Sequence, residues 1–473
     1  MPRKLIAIAV AATIALVGTA AAQAMTAVRA STPRQPDAFI PRVSFKQIAR
    51  VNGTTAQAVA FTRTPDGHLH LVYQSFVGRS LTGLSAMEIS AKGHPGSQVT
   101  VLNGWQPGQP GLVRQPNGML EAIFGAVSPG NVSSLWGVTS SDGGASWSAP
   151  TDVKGGGSLE SLVYGSDVTA TPSSGNVVVT LPQAGRLIIQ RGLGSGSPSF
   201  ELTNPADGST ADADVATDAS TGEVVTAWNS ISGNPTLYVQ GASPSIQPLQ
   251  KVPGQSRNEM ELAGRDAGPG VFGAYTPDGL HVLLLRYGGK AVRVGSVAKT
   301  KASDLGVATG PEGRIWVMWG DDAGGGVNVT RSNKAVNGFE PIQHLNPKSA
   351  VLYRISGDGR LGPLDLLVDQ IPDSGTLEPP SLYYARVLAE LSARLRVVPI
   401  KNFKSVVVGH LLIVNVTDAG DPVAGAVVTV HGLHKTTGTA GTVKFKFGPK
   451  VKGTFTVGIT RPGYWRLTKT AGF

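Results

Sequence analysis

The stretch TRTPDGHLHLVYQ, Thr62 to Gln74, carries a strand into a Pro-Asp-Gly turn and out into an apolar strand. Proline fixes φ near −65° at the second turn position, and glycine supplies the positive φ that such a turn ends on. The same design returns as VRQPNGMLEAIFG (113–125), TATPSSGNVVVTL (169–181), ATDASTGEVVTAW (216–228), AYTPDGLHVLLLR (274–286), ATGPEGRIWVMWG (308–320) and RISGDGRLGPLDLLV (354–368). The turn glycines are Gly67, Gly118, Gly175, Gly222, Gly279, Gly313 and Gly359, spaced by 51, 57, 47, 57, 34 and 46 residues. A unit of that length holds about four short strands. One four-stranded sheet cannot bury both faces, whereas a ring of such sheets buries them and leaves only short edges. The expectation is an all-β chain built on a β-propeller of six or seven blades, with seven favoured by the number of turns. The 34-residue interval leaves open one incomplete blade.

Composition agrees with a turn-rich β chain. There are 473 residues with 61 Gly, 32 Pro, no Cys and 15% charged residues. Few segments carry a helical period. Arg3 and Lys4, an apolar run and Ala22-Gln23-Ala24 make residues 1–24 a secretory signal peptide, and 25–41 a flexible leader. An exported chain without cysteine uses none of the disulfides open to it, which suits a bacterial protein. The net charge of +10 is uneven: Arg396 to Phe473 hold 11 Lys+Arg against 2 Asp+Glu, and the rest holds 30 against 29. A near-neutral body with a basic tail points to an anionic partner for the tail.

SSDGGASW, Ser140 to Trp147, sits after a strand within a blade-length unit. Ser140, Asp142, Gly144 and Trp147 match S-x-D-x-G-x-x-W, and on these residues the chain resembles the sialidase-like β-propellers that carry this Asp-box. A weaker counterpart is VNVTRSNKAVNGFEPIQHL (327–345), with Phe339 in the place of Trp147. The resemblance covers about residues 42–390. It implies a propeller, with the Asp-box in a peripheral turn of an outer hairpin rather than in the central site.

The chemistry of a sialidase makes further demands. Three arginines must fork onto the substrate carboxylate. A Tyr with a nearby Glu supplies the nucleophile, and an Asp the general acid or base. The family's Arg-Ile-Pro motif is absent from FIPRVSFKQIARVNG (39–53), where Arg42 follows Ile-Pro. Arg63, Arg114, Arg191, Arg265 and Arg354 are the candidates near blade starts or strand ends. Tyr73, Tyr164, Tyr275 and Tyr353 lie in apolar strands, where packing is the first expectation. TADADVATDAS places Asp212 and Asp214 on one face of an inner strand with Asp218 in the turn beyond, a pattern open to acid/base work, to Ca²⁺ or to a plainly solvated strand entry. Asp321 and Asp322 read as a polar turn. His68/His70 and His431/His434 lack a third ligand, so no metal and no cofactor are expected. HExxH, GxSxG and phosphate-loop patterns are missing.

From about Leu391 the style changes to short strands and tight turns, and residues 391–473 read as a small basic β-sandwich. Val416, Asp418, Gly420, Pro422, Val423, Gly425, Ala426, Gly441, Gly463 and Tyr464 make it similar to the bacterial Ig-like and carboxypeptidase-regulatory-like domains, which implies a spacer or adhesion module. Lys435, Lys444, Lys446, Lys450, Lys452 and Arg461 form a candidate anion-binding surface for an envelope polymer. The lysines lack any nucleic-acid-binding fold, so nucleic acid is not the expected partner. The expected function is that of a secreted, non-catalytic propeller binding a glycan or protein at the cell envelope. The alternatives are a sialidase-type glycoside hydrolase and an envelope structural or assembly factor.

Overall fold

The computed structural model describes residues 43–48, 54–77, 80–154, 167–170, 177–183, 186–194, 196–202, 210–230, 236–241, 250–252, 260–296, 302–321, 326–345, 350–372 and 381–472. The expected signal peptide and leader, Tyr164, Gly175 and Asp322 lie outside them. The described residues form nine antiparallel sheets, with a single 3-10 turn at Pro311–Gly313.

Seven sheets follow one another along the chain as four-stranded meanders. Their innermost strands are Thr54–Arg63, Gly111–Arg114, Asp167–Ala170, Thr210–Thr217, Leu262–Gly264, Ala302–Thr309 and Ala350–Asp358. The second sheet carries one extra strand, Gln106–Pro107, beside Leu120–Val127. The outer edge of the seventh sheet is completed from the other end of the chain, where Lys46–Gln47 pairs with Ser381–Val387 and sets Lys46 opposite Tyr384.

Burial explains why the sheets stack in a ring. Among the described residues the body's core is not one mass but seven clusters, each shared by two neighbouring sheets. Trp319 fills the seam between the fifth and sixth sheets, and Tyr73 that between the seventh and the first. Each sheet thus hides both faces, as a propeller requires. Arg63 of the first sheet closes the ring on Asp358 and Asp365 of the seventh, at 2.6 Å each.

The inner strands carry register shifts at Gln57/Val59, Ala211/Ala213, Ala302/Leu305 and Leu352/Arg354. A bulge frees a backbone N–H from its ladder. Ala58 lies in the first of these bulges, and its N–H donates to Asp369 Oδ2 of the seventh sheet at 3.0 Å. Burial pushes the Asp369 carboxyl up to about 7, against the pull of Arg354 and of the Ala58 N–H.

The repeat of turn glycines is resolved in the fifth sheet. Gly279 lies between its second and third strands, not after the inner strand as Gly67, Gly118, Gly222, Gly313 and Gly359 do. The equivalent inner turn is Arg265–Gly270, and its positive-φ Gly268 stands 46 residues after Gly222 and 45 before Gly313. The 34-residue interval therefore reflects one turn signal used at the other end of a blade, and the fifth sheet has all four strands. Gly359 keeps its place for room rather than for φ: a Cβ there would stand 2.3 Å from Trp316.

Residues Ser392–Gly472 form a two-sheet sandwich. One sheet pairs Val407–Asp418 with Ser392–Lys401 and Thr442–Phe447, and the other orders Leu433–Thr436, Val427–Val430, Thr454–Thr460 and Leu467–Gly472. Alternation along Thr442–Phe447 buries Val443, Phe445 and Phe447 and exposes Lys444 and Lys446.

Candidate functional site

The seven inner strands surround a channel of ≈ 570 Å³. They run in the same direction, because side chains and turns at their C-terminal ends meet around the ring. Thr169 and Thr217 hydroxyls lie 3.1 Å apart, Thr309 Oγ1 donates to Gly264 O at 2.6 Å, and Gly359 N donates to Thr309 O at 3.0 Å. That end of the channel gathers Arg63, Arg114, Arg265, Asp266, Asp358 and Arg360.

Four of the five candidate arginines thus line the channel, while Arg191 is exposed on the third strand of its sheet. They differ in what holds them. Arg63 is buried; burial opposes its charge, but Asp358 and Asp365 outweigh this and raise its pKa. Arg265 donates to the carbonyls of Gly313 (2.7 Å) and Lys334 (2.5 Å), tying the fifth sheet to the sixth. Arg354 stands beside Asp369. Arg114 is half-buried at the end of its strand, with one guanidinium nitrogen 3.6 Å from the Cβ position of Gly118. Arg360 is half-exposed and touches Asp358 at 3.5 Å. Tyr73 and Tyr275 are buried in the seams, and burial pushes the Tyr275 hydroxyl up to about 12. The side chain of Tyr353 lies outside the described residues.

Two members of the acidic cluster, Asp214 and Asp218, are taken up by backbone amides. A register shift falls between Ala211 and Ala213, and the side chain of Asp212 lies outside the described residues. Asp214 accepts from Val215 N at 2.7 Å and from Leu262 N of the next sheet. Asp218 caps its turn through Ser220 and Thr221 and reaches Gly270 N of the next sheet at 2.5 Å. Burial raises the Asp218 pKa, but these donors outweigh it and hold the group below the ordinary value. Both aspartates therefore bridge neighbouring blades. Asp321 ends a strand of the sixth sheet. Among the described residues no three His, Cys, Asp or Glu come together as metal ligands. His68 pairs with Glu88 at 2.6 Å, and His434 with Thr429 at 2.9 Å.

SSDGGASW forms the turn between Ser133–Ser140 and Thr151–Asp152, the outer hairpin of the second sheet. Asp142 Oδ1 accepts from Ser140 Oγ (2.8 Å) and Ser146 N (3.0 Å), and Oδ2 from Ser146 Oγ (2.5 Å). Gly144 N donates to Ser140 Oγ at 2.8 Å, and Trp147 Nε1 to Gly144 O at 3.2 Å. Donation from Ser146, then Ser140, lowers the Asp142 pKa to about 2. The turn lies on the rim, away from the channel lining.

The sandwich docks on the sixth sheet. Arg331 reaches Glu340 Oε1 (2.9 Å) and Asp418 Oδ2 (2.8 Å), between the rings of Trp316 and Tyr464 at 5.2 Å each. Arg314 spans Asp418 (3.3 Å) and Asp421 (2.8 Å), Tyr464 OH donates to Asp418 Oδ2 at 2.7 Å, and Trp465 Nε1 to Gln343 Oε1 at 3.0 Å. Burial drives Glu340 well above the ordinary carboxyl range despite Arg331. Of the candidate anion-binding residues, Lys435, Lys444, Lys446, Lys450 and Lys452 are exposed, whereas Arg461 is half-buried against Tyr464.

No family model matches the chain, and no curated protein matches its sequence. Solved structures resemble it loosely. A Dyadobacter fermentans protein of unknown function is 12% identical with a TM-score of 0.47, over 73% of this chain and 99% of that one. The polysaccharide lyase Uly1 is 9% identical at 0.44, over 75% and 94%. A Trypanosoma rangeli sialidase is 10% identical at 0.39, over 74% and 60%.

Sequence reasoning missed Arg360, Thr309 and the docking residues Arg314, Arg331 and Glu340. A signal existed for two of them: Arg314 and Arg360 each follow an inner-turn glycine, Gly313 and Gly359, as Arg114 precedes one.

Proposed function

We propose that this is an exported, non-catalytic propeller protein that binds an acidic glycan at the turn end of its central channel, near the cell envelope. Its outer hairpin at Ser140–Trp147 is that of an Asp-box, and its sandwich an Ig-like module. The observation that carries the binding proposal is the unequal engagement of charges there. At that end Asp266 accepts from the Gly313 amide and Asp358 from Arg63, while Arg114 and Arg360 reach the channel from the second and seventh sheets, Arg360 meeting Asp358 only at 3.5 Å. A guanidinium fork matches a sugar carboxylate with two parallel charge-assisted bonds. The exposed lysines of the sandwich add a surface for anionic envelope polymer.

Calorimetric titration of the full chain with acidic and neutral oligosaccharides tests this. The expected result is acid-selective binding that weakens by about tenfold or more in Arg114→Gln/Arg360→Gln, with no sugar released. Sugar release would turn the reading to a glycoside hydrolase. Unchanged binding by the double variant would move the site elsewhere.

A further inference from the structure

The sandwich carries a feature that neither the channel nor the docking seam uses. Strands Ser392–Lys401 and Val407–Asp418 form a long hairpin, and their third partner, Thr442–Phe447, stops with Phe447 opposite His410. Beyond Gly409 the hairpin therefore projects with both faces uncovered. Its tip exposes Phe403 (92%), Val406 (56%), Val407 (38%) and Val408 (42%). The tip is built rather than loose. Asn402 Oδ1 accepts from Lys404 N at 2.9 Å and Val406 N at 3.0 Å, Asn402 N donates to Val406 O at 2.9 Å, and Ser405 takes the left-handed conformation at φ 58. Lys404 Nζ stands 5.6 Å from the centre of the Phe403 ring.

Charge says what such a tip faces. Residues 391–473 contain 12 Lys+Arg and two acids, Asp418 and Asp421. Both acids sit at the far end of the same hairpin, taken up by Arg314 and Arg331. A twelve-residue strand separates them from the tip by about 35 Å. The tip and its flanks thus carry cations alone: Lys401 and Lys404 on the turn, and Lys450 and Lys452 in the loop that follows Phe447, whose Gly448 backbone lies beside Gly409.

We propose that this tip inserts into the surface of an anionic lipid bilayer, with Phe403 and the three valines entering the acyl boundary and the surrounding lysines on the headgroups. Stable anchoring of a peripheral protein takes an apolar insertion together with a polybasic surface, and both meet at this one point. A soluble anionic polymer would use the lysines and leave Phe403 in water. A second copy of the chain would bring two like-charged tips together.

Co-sedimentation of the full chain with vesicles of phosphatidylcholine, alone or with about a quarter phosphatidylglycerol, tests the proposal. The chain is expected to bind only the anionic vesicles. Phe403→Ser should weaken that binding about tenfold, the transfer of one Phe side chain, and Lys401→Gln/Lys404→Gln by a similar factor with a shallower salt dependence. Phe403 belongs to no core cluster, so an unchanged thermal melt separates lost binding from lost folding. Phe403→Trp should be quenched by bromine-labelled lipid beyond the wild-type chain. Absence of binding to anionic vesicles overturns the proposal. So does wild-type affinity in Phe403→Ser, which would leave adsorption by charge alone. Neither outcome bears on glycan binding in the channel.

Discussion

The outer hairpins of the second and sixth sheets hold the same place in the ring and solve different problems. In the second, Asp142 closes the turn on itself through Ser140 and Ser146, and the hairpin faces solvent. In the sixth, neutral Asn333 takes that part, its Oδ1 accepting from Asn337 N at 3.0 Å and Gly338 N at 3.3 Å. The charges there move to Arg331 and Glu340, which lie in the seam with the sandwich. A carboxylate in water needs only local donors. A hairpin covered by a second domain must pair every charge it buries.

The sharpest way to break this contrast is Arg331→Ala. It takes the cation from buried Glu340 and one of two from buried Asp418, which keeps Arg314 at 3.3 Å, at a cost of about 3–5 kcal/mol. Urea denaturation should show the sandwich unfolding at lower denaturant or separately from the propeller. A single unchanged transition would mean that Arg314, Tyr464 and Trp465 suffice to hold the seam.

The two hairpins should also answer pH in opposite directions. Glu340 has a raised folded pKa, so the native state keeps a proton that the unfolded chain has lost. Stability therefore falls as pH rises from the ordinary carboxyl range toward that raised value, and Glu340→Gln should flatten this slope. Asp142 has a folded pKa lowered from 3.8 to about 2, so its contribution is present above the ordinary value and lost as pH falls through that window. Asp142→Ala should remove that acid limb and lower Tm by a few degrees at neutral pH, with ligand binding by the folded protein unchanged. Thermal melts across pH, on both variants, check the signs.

The smallest effect belongs to the rim of the seam. Lys334 meets Glu312 at 2.8 Å, but both side chains are more than half exposed, at 54% and 62%. Lys334→Gln should change stability by no more than about 0.5 kcal/mol in the same urea titration, which would confine the energetic weight of the seam to its buried charges.

Much of the ring was legible because its turns are local. Pro-Asp-Gly and its relatives specify φ within four residues, and period-two alternation specified the exposed lysines of Thr442–Phe447. The fifth sheet shows the limit of that reading. The same Thr-Pro-Asp-Gly serves the first sheet after its inner strand and the fifth between its second and third, because a turn signal states its geometry and not its rank in the sheet. The acidic cluster shows another limit: Asp214 and Asp218 spend their carboxylates on amides of the next sheet, which no local spacing announces.

The sequence by itself determined the all-β repeat, the outer hairpin at Ser140–Trp147 and the basic tail, since each rests on neighbours a few residues apart. Only the tertiary structure decided which arginines reach the channel and which are already engaged. It alone decided that Asp214 and Asp218 staple blades, and that both acids of the sandwich pair with arginines of the sixth sheet. Those outcomes depend on partners 48 to 302 residues away, such as Leu262 for Asp214 and Asp365 for Arg63, and no local pattern encodes which partner a charge will meet once the ring has closed.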